Sequence, residues 1–298
     1  MSYPPAAPRS VTSAATQGGG AGARAGHDPL PQVLVAASGA SRCGTTLSSA
    51  ILAVAASALG RDVLLVDASS SGALLPLLGV HGATFAAVSP TLTAAEAGVA
   101  ALVPLFEAPP VSTGDAVLVD AGARLGNVLG ALAAALAAGL APGLLVVTGT
   151  EAAQLAAAYA LIKVAAERGL AAATEVVIVG GDATEARDAF ALLTAGVRRF
   201  LDRPLALAAH VPEDPSLAVA LAAGMSVHDA AAGSPAVAAL NALAGRWAVA
   251  ASPPVASPDA AARSVRAAGA RLAAAPAPRR PAVPGLTGPL AFAAAPAR

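Results

Sequence analysis

The sequence predicts an α/β protein in which a doubly wound, mostly parallel sheet carries helices on both faces. The first indication is Val33 to Asp67, where an apolar strand, a turn of small residues, a helical stretch and a second apolar strand form one βαβ unit. The second is that short apolar stretches and helical stretches continue to alternate as far as Trp247. The third is the composition, 56% hydrophobic and 12% charged, which argues against general disorder.

Composition divides the chain into three segments, residues 1–30, 31–249 and 250–298. The first is rich in Pro, Gly, Ser and Ala without a period, and such a segment cannot bury enough surface to offset its ordering entropy. The last is rich in Ala and Pro, and its Asp259 to Ala274 stretch has arginines but no bulky apolar face. We therefore expect a folded domain between a flexible arm and a disordered tail.

The charge and cysteine content exclude several classes of protein. With 18 acidic and 18 basic residues the net charge is zero, so the chain lacks the excess positive charge that is typical of proteins that bind nucleic acid or an anionic membrane. One cysteine excludes a disulfide framework, and the four histidines lack metal-ligand spacing. Met1 to Leu30 shows no export signal, so the cytoplasm is the expected compartment.

The turn Ser38 to Gly44 follows the first strand and leads into a helix through Thr45 and Thr46. Such a turn points backbone N–H groups and the positive end of the helix dipole at one spot, which favours phosphate. A working P-loop also needs a lysine for the phosphates and a hydroxyl for Mg²⁺. Thr45 stands in the place of that lysine, Thr46 keeps the hydroxyl, and Lys163 is the only lysine in the chain.

Two residues of this turn allow alternative interpretations. Arg42 could contact phosphate in place of the missing lysine, or it could be an exposed loop arginine. Cys43 could be a thiol activated by the helix N-terminus, or a small residue that fills space.

The stretch Gly39 to Ala50, GASRCGTTLSSA, resembles the deviant Walker A loop of the MinD/ParA family, G-K-G-G-x-G-K-T. The resemblance places the family's signature lysine at Ala40 and its phosphate lysine at Thr45. It implies a nucleotide-binding or phosphate-binding loop made of Gly39, Ser41, Arg42, Cys43, Gly44, Thr45 and Thr46.

Two later motifs extend the resemblance. The strand Val63 to Asp67 ends where the family has D-x-D, and the second acid, which orients the attacking water, is Ser69 here. The strand Ala116 to Asp120 opens DAGARLG, which is similar to the family's switch II motif and matches it at Asp120 and Gly122. The resemblance implies that a bound nucleotide would bring Mg²⁺ to Thr46, Asp67 and Asp120.

The stretch Tyr159 to Lys163, YALIK, follows a predicted strand at Leu144 to Thr148 and resembles a helix of FlhG-type MinD relatives. An ordinary amphipathic helix with Tyr159 and Ile162 in the core is the alternative. Just before it, Val128 to Val147 is uncharged, and we expect a buried helix and a central parallel strand there rather than a membrane span.

The remaining elements follow the same alternation. Gly180 and Gly181 stand where the family has an adenine-reading Asn, and Pro212, Asp214 and Gly224 match its closing segment. The other predicted elements are a helix at Thr93 to Phe106, a strand at Glu175 to Val179, a helix at Thr184 to Phe200, a strand at Leu205 to His210 and a helix at Pro235 to Trp247.

The resemblance implies a degenerate MinD/FlhG-like protein, a pseudo-ATPase that acts as scaffold or regulator in flagellar placement or number, polar assembly or partitioning. It implies at most weak binding of ATP or ADP with Mg²⁺, and a protein partner that contacts Ser69, Gly122, Tyr159 and Lys163. We expect no specific nucleic acid, at most peripheral membrane contact, and a possible homodimer. The alternatives are a slow ATPase that uses Arg42 and a pilus-assembly protein of the TadZ/CpaE type.

Overall fold

A single eight-stranded sheet lies at the centre of the computed structural model, which describes residues 33–69, 71–107, 116–170, 173–231 and 233–249. The strands within these ranges are β1 (Val33–Ala37), β2 (Val63–Asp67), β3 (Phe85–Ser89), β4 (Leu92–Glu96), β5 (Ala116–Gly122), β6 (Gly143–Thr148), β7 (Ala173–Val179) and β8 (Ala206–Val211). The helices are α1 (Thr45–Ala58), α2 (Leu74–Leu77), α3 (Val99–Glu107), α4 (Leu125–Ala137), α5 (Ala152–Glu167), α6 (Ala183–Leu201), α7 (Pro215–Ala222), α8 (Val227–Ala230) and α9 (Pro235–Val249).

The strand order is β3-β4-β2-β5-β1-β6-β7-β8, and every neighbouring pair is parallel except β3 and β4. The predicted fold class, a mostly parallel doubly wound sheet, is therefore confirmed. β1 lies between β5 and β6, so the loop after β1 begins near the middle of the sheet. A ligand crevice in such a sheet forms outside the carboxyl ends of its strands.

Both faces of the sheet are covered by helices. Val33 and Val35 of β1 pack in a core with α3, α4, α5 and α6, whereas Leu34 packs on the opposite face with α1, α2, α7, α8 and α9. This alternation follows from the two-residue period of a strand, and burial on both faces explains why the central strands read as continuous apolar runs. Trp247 of α9 is fully buried in the second core.

The predicted helix at Thr93 to Phe106 is wrong in its first part. Leu92–Glu96 forms β4, which pairs in parallel with β2 and in antiparallel with β3, and the helix begins only at Val99. The alanines in this stretch favour a helix locally, but Leu92 and Ala94 are buried against one face of the sheet and Ala95 against the other. Burial on both faces thus overrides helix propensity.

The other predicted elements agree with the structure to within three residues at each end. The uncharged stretch 128–147 divides into α4 and β6, and β6 pairs with both β1 and β7, as expected for a central strand. Across the described ranges, no helix is long and apolar enough to cross a membrane. The predictions made for residues 1–30 and 250–298 lie outside the described residues.

Candidate functional site

The turn between β1 and α1 lies at the carboxyl end of the central strand. Gly44 precedes α1 with a left-handed φ of 78°, and no side chain caps the helix N-terminus. The Ser38 N–H donates to the carbonyl oxygen of Gly122 at 3.0 Å, and the Ser38 hydroxyl donates to that of Ala40 at 2.8 Å. These bonds fix the start of the turn, while the first turn of α1 presents its backbone N–H groups and the positive end of its dipole.

Gly39 packs directly on the backbone of α5. A Cβ atom at Gly39 would lie 2.1 Å from the carbonyl carbon and oxygen of Ala157, so a larger residue does not fit there. Ala157 lies two residues before Tyr159, and the helix that carries YALIK therefore supports the turn from one side.

Arg42 and Cys43 differ sharply in exposure. Arg42 is exposed and has a φ of 65°, a conformation that non-glycine residues adopt at a cost. Cys43 is buried, and burial raises the pKa of its thiol although backbone hydrogen bonds from Gly149 and Ala40 act in the opposite direction. An activated thiol requires a lowered pKa, so the direction of this shift favours the interpretation of Cys43 as a small residue that fills space.

Asp67 and Asp120 are register neighbours at the ends of β2 and β5, and both are buried, with 3% and 0% of their surface exposed. Asp67 Oδ1 accepts hydrogen bonds from the Ser69 N–H at 2.9 Å and the Ser69 hydroxyl at 2.5 Å. Asp120 Oδ1 accepts one from the Gly122 N–H at 3.0 Å. The Oδ2 atom of each aspartate has no hydrogen-bond partner.

The environment of Asp120 raises the pKa of its carboxyl group to about 6. Burial is the main cause and the negative charge of Asp67 adds to it, whereas the Thr46 hydroxyl and the Gly122 N–H act in the opposite direction. The hydroxyl of Thr45, the residue before Thr46, is buried without a hydrogen-bond partner. The Thr46 hydroxyl and the two carboxylates thus lie together, and we call this place the pocket; the Oδ2 atoms of both carboxylates have no hydrogen-bond partner there.

The loops after β2 and β5 contact each other beside these aspartates. Gly122 has a φ of 62°, and a Cβ atom there would lie 2.8 Å from the Cβ of Ser69. Asn127 of α4 donates from Nδ2 to the carbonyl oxygen of Ala68 at 2.6 Å. The two predicted switch positions, Ser69 and Gly122, are therefore adjacent.

The rim beside the turn is formed by residues at the carboxyl ends of β7 and β8 and in the loops that follow them. His210 Nε2 lies 3.2 Å from the carbonyl oxygens of both Gly180 and Gly181, and since both are acceptors, this nitrogen carries the hydrogen. Glu213 lies over Gly180, and Glu185 lies over Gly181.

This rim is acidic. Its exposed carboxylates follow the ends of β6, β7 and β8, and they belong to Glu151, Asp182, Glu185 and Glu213. Sequence reasoning missed the group, although each residue comes within a few positions of a predicted strand end. No set of three or more His, Cys, Asp or Glu side chains in the described ranges is arranged to hold a metal ion.

Lys163 lies apart from this pocket on the exposed side of α5. Its Nζ is 3.7 Å from Glu167 Oε1, one helical turn along. Ile162 is buried as predicted for a core residue, while Tyr159 is half-buried and makes an edge-on contact with Phe200 at 6.4 Å between ring centroids. Ser69, another residue predicted to contact a partner, is not next to Lys163 in the sheet order. It follows β2, whereas α5 follows β6, and these two strands are three positions apart in the sheet.

Comparison with solved structures finds MinD and ParA proteins among the similar folds. MinD of Aquifex aeolicus matches with a TM-score of 0.59 and 19% identity, over 75% of this chain and 99% of that chain. The same protein in its MinC:MinD complex gives a TM-score of 0.57 and 20% identity, over 75% and 98%. MinD of Pyrococcus horikoshii, complexed with Mg-ADP, gives 0.55 and 19%, over 71% and 94%. A ParA family ATPase from Chlorobium tepidum gives 0.56 and 19%, over 71% and 98%.

By sequence, no protein-family model and no curated protein matches the chain. The similarity is thus one of structure, and it extends over nearly the full length of each matched protein. The described part of this chain has the fold of the MinD and ParA ATPases.

Proposed function

We propose that this chain is a MinD/ParA-type protein that no longer hydrolyses ATP and acts as a scaffold or regulator in spatial organisation. Flagellar placement or number, polar assembly and partitioning are the processes we propose for it. The proposal rests mainly on the turn between β1 and α1. Its backbone leads into an uncapped helix N-terminus, which favours phosphate, but Ala40 and Thr45 stand where the family has its two lysines.

The missing lysines leave little to stabilise the charge of a phosphoryl-transfer transition state. The Thr45 side chain is short, buried and uncharged, so it cannot replace a lysine ammonium group at the phosphates. Ser69 stands in the place of the water-orienting acid, its hydroxyl donates to Asp67, and a hydroxyl is neutral and far less basic than a carboxylate. The pocket therefore lacks both the charge stabiliser and the residue that would orient a nucleophile.

Weak nucleotide binding is compatible with what remains. The turn offers backbone N–H groups, and Arg42 is exposed where a guanidinium could reach a phosphate. Mg²⁺ is held in proteins by one or two carboxylates together with waters and phosphates, and Thr46, Asp67 and Asp120 fit that donor set because both Oδ2 atoms are unpartnered. When bound, the ion would neutralise phosphate charge. The loop residues that we assign to the nucleotide are Gly39, Ser41, Arg42, Cys43, Gly44, Thr45 and Thr46.

We assign a protein partner to two surfaces, one beside the pocket and one on α5. The MinC:MinD structure is an example of this fold in complex with another protein. In this chain Ser69 and Gly122 adjoin the pocket, and Lys163 with the half-buried Tyr159 is accessible on α5. Homodimerisation is also part of the proposal, and we expect no specific nucleic acid and at most peripheral membrane contact.

A slow ATPase is the second candidate, and the exposed position of Arg42 in the turn favours it. ATP turnover distinguishes the two. We expect the rate of the native chain to equal that of Thr46→Ala, because the lysines and the acid are already absent. A variant with Ala40→Lys, Thr45→Lys and Ser69→Asp serves as positive control. Turnover by the native chain clearly above that of Thr46→Ala would refute the proposal and favour the slow ATPase.

A further inference from the structure

The outer face of α6 carries two large apolar side chains that the fold leaves uncovered. Leu192 and Phe200 are 63% and 67% exposed. They lie one turn before and one turn after Gly196, so all three residues share one face of the helix. Tyr159 of α5 packs on Gly196, where a Cβ atom would lie 3.7 Å from the Tyr159 Cδ2, and its ring contacts that of Phe200 edge-on. Leu192, Tyr159 and Phe200 thus form one apolar surface, which we call the α6 surface.

Charged side chains flank Leu192 on this face, and their sign changes along the helix. Glu185 and Asp188 lie toward the start of α6, whereas Arg199 lies toward its end, with its guanidinium carbon 5.3 Å from the ring centroid of Phe200. All three charged residues are exposed. Leu192 is the middle residue of α6, and Glu185 and Arg199 lie two turns before and two turns after it. The face therefore has an acidic half and a basic half on either side of Leu192.

The helix by itself explains the charges but not the apolar side chains. Acidic residues at the start of a helix and basic residues at its end complement the helix dipole, and this accounts for their order. It does not account for the exposure of Leu192 and Phe200. A single exposed leucine is common, but a contiguous apolar surface flanked by charges is typical of an interaction site.

The order of the charges determines which partner fits this surface. A second copy of the chain is complementary to it when the two α6 helices run antiparallel, because the acidic half of each copy then faces the basic half of the other. With a two-fold axis at Leu192, Glu185 and Asp188 of one copy lie near Arg199 of the other. A parallel arrangement would place like charges together. Ala195 on the same face is small, so the helices can approach to the distance of about 8–10 Å that is usual for packed helices.

We propose that this protein forms a two-fold homodimer through the α6 surface, with the two α6 helices antiparallel. The inference names the contact surface of the homodimer included in the proposed function, and it rests on that part of the proposed function alone. Burial of Leu192 and Phe200 stabilises the dimer, and the paired charges set the antiparallel orientation. None of these residues belongs to the turn or the pocket, so the contact needs no nucleotide.

The test is sedimentation velocity of the nucleotide-free protein at a series of concentrations. We expect the native chain to be a dimer that salt weakens. Asp188→Arg and Arg199→Glu should each weaken the dimer by at least about tenfold, because each places like charges in both halves of the contact. An equimolar mixture of the two variants should dimerise again, because each half then joins opposite charges. Asp188 is changed rather than Glu185 because the Glu185 carboxylate accepts the Asp182 N–H in the helix cap.

The matched control is Arg198→Glu, which makes the same charge change one residue earlier, about 120° around the helix from Leu192. It should dimerise as the native chain does. The proposal is overturned if the native chain is monomeric at every concentration, if Arg199→Glu dimerises as tightly as Arg198→Glu, or if the mixture of the two charge variants stays monomeric. A monomeric native chain would leave the α6 surface to a different protein. None of these results depends on ATP turnover, so the two proposals fail independently.

Discussion

Gly39 illustrates how a single residue links the phosphate-binding turn to the rest of the protein. Its Cα lies so close to α5 that a Cβ would overlap the carbonyl group of Ala157. The overlap is with helix backbone, which cannot turn aside as the end of a flexible side chain can. The turn therefore depends on the position of α5 even if no phosphate binds.

We expect Gly39→Ala to lower the free energy of unfolding by about 1–3 kcal/mol, since it inserts a methyl group into a packed contact. Urea denaturation measures this. The control is Gly245→Ala in α9, where a Cβ would meet nothing within 4 Å and where alanine should stabilise the helix by up to about 1 kcal/mol. Equal effects of the two substitutions would mean that the turn is not packed on α5.

At the level of elements, the sequence could locate the strands and helices whose apolar pattern is strong, but not those formed by alanine-rich segments. β4 shows why. Its residues Leu92–Glu96 have no strong strand propensity, and the strand exists because it pairs with β2, nearly 30 residues earlier in the chain. A local pattern cannot report such a distant pairing, and the edge hairpin of β3 and β4 was therefore missed.

Helix α5 carries our prediction for partner binding. Lys163→Glu should weaken capture of the partner from a lysate of the source cells, because it reverses the charge of an exposed side chain. Thermal stability should change by less than about 0.5 kcal/mol, since the pair with Glu167 is exposed.

Arg168→Glu, which reverses another exposed charge at the end of α5, is the control for this experiment. It should not reduce capture. If Lys163→Glu lowers stability markedly while capture persists, Lys163 is structural and the interface lies elsewhere.

For the molecule as a whole, the candidate site could be predicted as far as it depends on strand ends. Thr46, Asp67 and Asp120 each follow or end a predicted strand or turn, and parallel strands bring their carboxyl ends to one edge. Which carboxylate oxygen remains unpartnered could not be predicted, because it depends on the hydrogen bonds of Ser69 and Gly122. The acidic rim likewise results from the placement of three separate loops.

The central claim is that this chain has the fold of a MinD/ParA ATPase but binds nucleotide much more weakly. Each lysine that is absent would contribute about 1.5–3 kcal/mol through charged hydrogen bonds to phosphate. Two lysines together therefore correspond to an affinity difference of at least about 100-fold.

The most direct test is isothermal titration of ATP and ADP, with and without Mg²⁺, into the native chain and into Ala40→Lys/Thr45→Lys. We predict that the native chain binds ATP at least about 100-fold more weakly than this variant. Residual binding should fall further in Arg42→Ala, because Arg42 is the exposed cation of the turn. Tight, Mg²⁺-dependent binding of ATP by the native chain, equal to that of the lysine variant, would contradict the account.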